Sequence, residues 1–295
     1  MSVFAAIDIG SNGVRLLVCR VTKNSNGKIL VSKEEGFRMP IRLGEDVFVH
    51  GHISKEKILR LKQTMKGFSE LLLAYGEVQG IRAVATSAMR DATNSLAVID
   101  EIFQYSNIRI ECIDGKKEAS LVFSQNLSKF LDTKAAHLYV DVGGGSTELS
   151  LMFKGKILIS RSFNLGTVRI LHGKVSESEW NDLRNWIKKN THGIKPLSAV
   201  GIGGNITRLL KMLTKKEAKF VTAIQIKKIH TSLKRLTLEK RMEKFDLKPD
   251  RADVIIPAAQ IYMTICQSAQ IKRVFVPQVS VTDGLIQEMY LTKFK

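Results

Sequence analysis

The chain has 295 residues, 44% of them hydrophobic and 25% charged, with a formal net charge of +18. That length accommodates two domains of ordinary size, and the composition reads as globular and soluble. No apolar run approaches the roughly 18 residues of a membrane helix, and the start "MSVFAAIDIG" lacks the basic region and cleavage pattern of a secretory signal.

In chain order, residues 3–9 and 14–22 are expected as strands flanking a tight turn at Gly10 to Gly13, with 29–34 as the third strand of a meander. Residues 53–76 carry a helical apolar stripe, with Ser54 as N-cap and Gly76 as stop. The run "IRAVATSAM", 81–89, predicts a buried strand that ends in a loop at Arg90 to Asn94. A helix over 95–106, a strand over 108–113 and a helix over 115–131 follow. The pattern then restarts, with strands at 137–142, 147–153 and 156–163, helices at 176–191 and 205–213, and strand 197–203 between those helices. Basic helical segments fill 225–245. An apolar helix spans 251–270, which Pro257 would kink or start. A strand at 273–281 and a final helix complete the chain.

Each half thus opens with the same phrase: Asp8-Ile9-Gly10-Ser11-Asn12-Gly13 in the first, Asp141-Val142-Gly143-Gly144-Gly145-Ser146 in the second. This is a duplicated α/β core, with domains expected at 1–125 and 126–295 and the last helix, about 283–295, able to pack back on the first. A glycine-rich turn exposes several backbone N–H groups, a nest suited to phosphate. A carboxylate at its edge repels phosphate but can hold Mg²⁺. Two such turns facing each other across a cleft would grip one phosphoryl group from both sides.

The excess charge is concentrated. Between Arg208 and Arg251 stand 14 basic and 5 acidic residues, a field that attracts polyanions. No zinc-finger spacing or aromatic-basic signature of nucleic-acid binding accompanies it. The three cysteines, Cys19, Cys112 and Cys266, lie far apart in apolar segments and are expected as buried free thiols in a reducing cytoplasm. The six histidines show no metal-ligand spacing, and Trp180 and Trp186 are expected in the core.

The phrases "AAIDIGSNGVRLLV", "IRLGEDVFVHGHIS", "VATSAMRDATN", "IDGKKEASLVF", "YVDVGGGSTELSL", "FNLGTVRI", "VGIGGNITRL" and "RADVIIPAAQIY" occur in one order along the chain. Together they resemble the exopolyphosphatase and guanosine pentaphosphate phosphohydrolase family of the actin-like ATPase superfamily. The resemblance implies two ribonuclease-H-like domains with an interdomain cleft. It also implies cytoplasmic, Mg²⁺-dependent hydrolysis, with Mn²⁺ as a substitute metal, of the terminal phosphate of polyphosphate or of guanosine pentaphosphate. The expected partners are therefore polyphosphate or guanosine penta- or tetraphosphate, with no membrane and no specific nucleic acid; a homodimer, common among relatives, is compatible with it. The chain departs from the family pattern at Lys117, where an acid is common, at Gly13 and at Asn205.

By itself Glu118 reads as an ordinary acid in a helix's first turn, favourable to the helix dipole; the resemblance makes it the general base. Asp141 and Glu148 are the further catalytic acids, and Asp8, Asp141 and Glu118 the metal ligands. Arg90, just past a strand end, is the expected phosphate clamp. Ser11, Asn12, Gly144, Gly145, Ser146 and Thr147 supply the nests, and Gly203 and Gly204, opening a helix, a third anion loop extended by Arg208 and Lys211. The leading function is exopolyphosphatase. Guanosine pentaphosphate hydrolysis is the alternative. A weakly active sensor of these anions, in which Lys117 holds Glu118, and an ATP-dependent sugar or acetate kinase are the readings from other classes.

Overall fold

The computed structural model describes residues 2–23, 29–123, 132, 135–214, 218–277 and 279–294. It divides into two units, Met1–Gln125 with Ser280–Lys295, and Asn126–Val279.

The first unit opens with β1 (Ser2–Ile9), β2 (Val14–Lys23) and β3 (Ile29–Met39), an antiparallel meander. There follow α1 (Leu43–His50), α2 (Lys55–Leu73), β4 (Val78–Ala85), α3 (Ser87–Asp91), α4 (Ser95–Ser106), β5 (Ile110–Cys112) and α5 (Gly115–Phe123). The sheet order is β3-β2-β1-β4-β5, with β1, β4 and β5 parallel. β1 is buried along almost its whole length because it lies mid-sheet, covered on both faces. β3 is the exposed edge. The expected helix at 53–76 is α2, with the Ser54 hydroxyl accepting from the Lys57 N–H. The expected strand at 81–89 ends at Ala85, and Ser87–Asp91 turns helical instead. The branched residues of "IRAVATSAM" lie in its first half, and small residues follow, so one apolar run spans a strand and a helix.

The second unit repeats the plan with β6 (Ala136–Val142), β7 (Thr147–Phe153) and β8 (Lys156–Phe163), again antiparallel. Then come α6 (Thr167–Leu171), α7 (Glu177–Thr191), β9 (Leu197–Ile202), α8 (Gly203–Leu213), β10 (Phe220–Thr222), α9 (Ala223–Lys234), α10 (Leu238–Phe245), α11 (Pro249–Ala252), α12 (Ile255–Ser268) and β11 (Arg273–Phe275). Its sheet order is β10-β11-β9-β6-β7-β8, the same core with one added strand. Pro257 falls in the first turn of α12, where its missing N–H costs nothing, so it starts the helix. Trp180 and Trp186 are core residues, with Trp186 edge-on to Phe163 at 5.8 Å. The expected helix at 115–131 is described only as far as Phe123; the remainder lies outside the described residues.

The last helix, α13 (Val281–Lys293), belongs with the first unit. Asp283 closes a capping box with Ser280 and pairs with Lys33 at 2.5 Å. Tyr290 and Phe294 pack edge-on against Phe4. Gly284 crosses α5 so closely that a Cβ there would lie 2.0 Å from the Leu121 carbonyl oxygen. No helix among the described residues is long and apolar enough to cross a membrane.

Candidate active site

Within the second unit the acidic hairpin is built by register. Asp141 on β6 stands directly opposite Glu148 on β7, and opposed residues of an antiparallel pair project from one face, with Cβ atoms about 5 Å apart. Glu148 is buried and accepts a hydrogen bond from the Ser162 hydroxyl at 2.9 Å. Asp141 lies against the start of α8: a Cβ on Gly203, whose φ is +86°, would come within 2.8 Å of Asp141 Oδ1. That position admits glycine alone without strain. The Asp141 carboxylate thus lies beside this helix N-terminus, where the helix dipole favours a negative charge. Asn205, also buried, donates to the Val142 carbonyl at 2.8 Å and accepts from Arg251 at 3.4 Å, tying α8 to the end of β6. Arg208 is half-buried and Lys211 exposed, both further along the same helix.

The turn between these strands is closed by Gly143 N–H to Ser146 O at 2.9 Å. Its carbonyls are held from behind by the segment that opens α6. Thr167 and Val168 N–H groups donate to Gly143 O at 3.0 Å and Gly144 O at 2.8 Å, and Arg169 Nε donates to Gly145 O at 2.7 Å. In a trans peptide the carbonyl and the next N–H point opposite ways. The N–H groups of Gly144, Gly145 and Ser146 are thereby directed to the other side, forming the nest. Sequence reading placed Thr147 among the nest's donors. It is fully buried instead, its hydroxyl donating to Leu165 O at 2.5 Å, so it anchors the turn from below. Arg169 and the 166–168 segment were missed as site-builders. The signal was present in "FNLGTVRI", where Gly166 lets its backbone abut Gly144, a Cβ there falling 2.4 Å from Gly144 O.

In the first unit the corresponding turn is closed by Gly10 N–H to Gly13 O at 3.1 Å. The Ser11 hydroxyl is buried and shares a hydrogen bond with Ser87 Oγ at 2.8 Å, so it braces the turn against α3. Asn12 is half-buried beside it. Asp8 stands opposite Arg15. Burial pushes its carboxyl above the ordinary range, and the Arg15 guanidinium pulls it back.

The carboxyl ends of β1, β4 and β5 lie side by side, where open α/β sheets place ligands. From them emerge Asp8, the Arg90 helix and the Glu118 helix. Glu118 is half-buried in the first turn of α5, whose start is capped by Asp114 accepting from Lys117 N–H at 2.8 Å. Arg90 Nη1 donates to Ile113 O at 2.9 Å, and its Nε lies 3.9 Å from Asp91, so the expected clamp is tied to the segment that leads into α5. Lys117 does not hold Glu118: its ammonium pairs with Glu288 on α13 at 2.6 Å, and Arg82 pairs with the same carboxylate at 2.6 Å. The motive for the sensor reading is thereby removed. Cys112, expected to be buried, is exposed, because β5 is a short edge strand; Cys19 and Cys266 are buried.

Among the described residues no group of three or more His, Cys, Asp or Glu side chains is arranged to hold a metal ion. Mg²⁺ does not require one: it takes one or two carboxylates and fills its octahedron with water and phosphate oxygens. The opposed Asp141 and Glu148 carboxylates fit that habit, since two like charges directly across a ladder favour a bound cation. Asp8, facing a guanidinium, fits it less well.

A model of the Ppx/GppA phosphatase family matches residues 21–293. The chain is 34% identical over 276 residues to a bifunctional 3-dehydroquinate synthase/phosphatase of Fusobacterium nucleatum, covering 85% of this chain and 41% of that one. It is 27% identical over 310 residues to exopolyphosphatase 2 of Mycobacterium tuberculosis, covering 95% and 96%. It is also 27% identical over 305 residues to a guanosine-5'-triphosphate,3'-diphosphate pyrophosphatase of Vibrio parahaemolyticus, covering 97% and 59%. The chain thus spans less than two thirds of the Fusobacterium and Vibrio relatives. Among solved structures, an exopolyphosphatase from Cytophaga hutchinsonii superposes with a TM-score of 0.85 at 23% identity, over 100% of this chain and 99% of that one. A Ppx/GppA member from Aquifex aeolicus gives 0.77 at 24%, with the same coverage. These likenesses establish the two-domain actin-like fold. With the twice-written acidic hairpin and a family match that runs almost from end to end, the chain belongs to the Ppx/GppA phosphatase family.

Proposed function

We propose that the protein hydrolyses the terminal phosphate of inorganic polyphosphate. The observation that carries this reading is the Asp141–Glu148 carboxylate pair beside a glycine turn whose N–H groups are aimed by bonds from behind. Mg²⁺, held by Asp141 and Glu148, would neutralise phosphate charge. Glu118 orients a water molecule and accepts its proton on the carboxylate as the water oxygen attacks the terminal phosphorus. The bond from that phosphorus to the bridging oxygen breaks, and the shortened chain leaves with the electron pair. The Gly144, Gly145 and Ser146 N–H groups stabilise charge on the transferring group. Arg90 acts through the start of α5, orienting Glu118.

Polyphosphate is preferred over guanosine pentaphosphate on two grounds. The chain accounts for 96% of the length of the Mycobacterium exopolyphosphatase, and its excess charge suits a long polyanion. α9 and the Arg235 that caps it expose Lys227, Lys228, Lys234 and Arg235 without an acid. Guanosine pentaphosphate is the second reading, favoured by the Vibrio relative, which aligns with 97% of this chain. Comparing kcat/KM for the two substrates with Mg²⁺ is the test. A higher value for polyphosphate is expected; a higher value for the nucleotide reverses the assignment.

A further inference from the structure

α13 docks on α5 at two points one helical turn apart. On α13 they are Gly284 and Glu288, on α5 Leu121 and Lys117, and residues four apart share one face of a helix. At the first point the contact is backbone: a Cβ on Gly284 would lie 2.0 Å from the Leu121 carbonyl oxygen. At the second it is ionic, Lys117 Nζ to Glu288 Oε1 at 2.6 Å. Glu288 Oε2 accepts from Arg82 Nη1 on β4 at 2.6 Å, and Arg82 Nη2 donates to Glu111 on β5 at 2.7 Å. The Lys117 ammonium is thus anchored, through one carboxylate, to two parallel strands of the sheet. Lys117 stands where an acid is common in the family pattern; an acid there would face Glu288 charge to charge. Glu118 is the next residue of α5, about 100° around the helix from Lys117. The close backbone contact sets how near the two helices lie, and the second contact, one turn away, sets the rotation of α5 about its own axis. With side-chain ends about 6 Å from the axis, a rotation of roughly 10° shifts a carboxylate by about 1 Å. A misplacement of about 1 Å can cost about 100-fold in rate. Lys117 and Glu288 are each more than a third exposed, so the pair contributes little to stability and matters through geometry.

We propose that Lys117 and Glu288 are positioning residues for the Glu118 carboxylate, with Arg82 holding Glu288 in place. α13 thus acts on the reaction through α5. The proposal rests on the reading of Glu118 as general base; the two-point dock itself does not.

The test is phosphate release from polyphosphate with Mg²⁺ by the full chain and its variants, with thermal melting of each to show that it is folded. Lys117→Met and Glu288→Gln are each expected to lower kcat about tenfold while KM changes by less than about twofold. The double variant should be no slower than either single one, because both remove the same pair. Lys117→Arg keeps the pair and should hold kcat within about twofold of the parent. Lys117→Glu, which sets like charges together, should be slower than Lys117→Met. Lys66→Met, which breaks the exposed Lys66–Glu70 pair of α2, leaves kcat unchanged. Added to Glu118→Gln, Lys117→Met should not slow the residual rate further, since the pair acts only through that carboxylate. Folded Lys117→Met and Glu288→Gln variants with the parent's kcat overturn the proposal and leave the hydrolase reading standing. So does a Lys117→Met loss that is undiminished on top of Glu118→Gln. A Glu118→Gln variant that keeps the parent's rate defeats the general-base reading and the proposal with it. A parent that releases no phosphate defeats the hydrolase reading. Amide hydrogen exchange over 115–123, expected to be faster in Lys117→Met than in the parent, then decides the dock by itself, and equal exchange overturns it.

Discussion

Glu148 acquires its meaning from a neighbour rather than from its own strand. In "STELSL" it alternates like any outward-facing residue, yet register sets it across from Asp141 and burial encloses it. A buried carboxylate beside another one is costly without a cation. Glu148→Gln should relieve that cost, so the variant melts no lower than the parent in EDTA while needing at least tenfold more Mg²⁺ for half-maximal turnover. A variant with lowered melting and an unchanged Mg²⁺ requirement would assign Glu148 a structural role. The thiols offer a second check at this scale. Burial pushes Cys19 up to about 11 and Cys266 to about 12. Cys112 is exposed; burial of its sulfur raises it first, Asp91 adds to that, and Arg90 opposes it. A chromogenic disulfide at neutral pH should therefore modify one cysteine per folded chain, and slowly, because the thiolate is the nucleophile. Modification of all three before unfolding would contradict the burial of the other two.

At the scale of elements, the two hairpins were legible because acid, glycines and flanking alternation coincide in a short stretch. The longer helices were legible from their apolar stripes. What the sequence concealed was short or non-local. α6 and β10 are too brief to show a period, and Ser87–Asp91 hid inside an apolar run. The roles of Ser11, Thr147 and Lys117 depend on partners 76, 18 and 171 residues away. The docking of α13 is of the same kind. Gly284→Ala drives a methyl into the Leu121 carbonyl, and overpacking on backbone should cost about 3 kcal/mol, read as a lower denaturation midpoint. Glu288 gives the dock a pH dependence. Burial opposes its ionisation, but hydrogen bonds from Lys117 and Arg82 prevail and hold its carboxyl below the ordinary range. A depressed carboxyl stabilises the fold above its unfolded pKa, about 4.3, and that contribution fades as pH falls through the lower folded value. Glu288 and Lys117 are each more than a third exposed, so Glu288→Gln should cost only about 0.2–1 kcal/mol at neutral pH. The difference from the parent should vanish in acid. A difference that grows on acidification would contradict the pairing.

At the scale of the whole molecule, the sheet order recurs in the two units and the chain carries a formal net charge of +18, a field that attracts polyanions. Exposed lysines on α9 and α10 act through the solvent, so the KM for long polyphosphate should rise with salt, while kcat holds. The most direct measurement is phosphate release from polyphosphate with Mg²⁺ by the purified parent and by Glu118→Gln. The parent is expected to release phosphate, and the variant to fold normally and be slower by about 10²–10⁴-fold, the range of a lost general base. A parent that releases none, or a variant that keeps the parent's rate, would contradict the account.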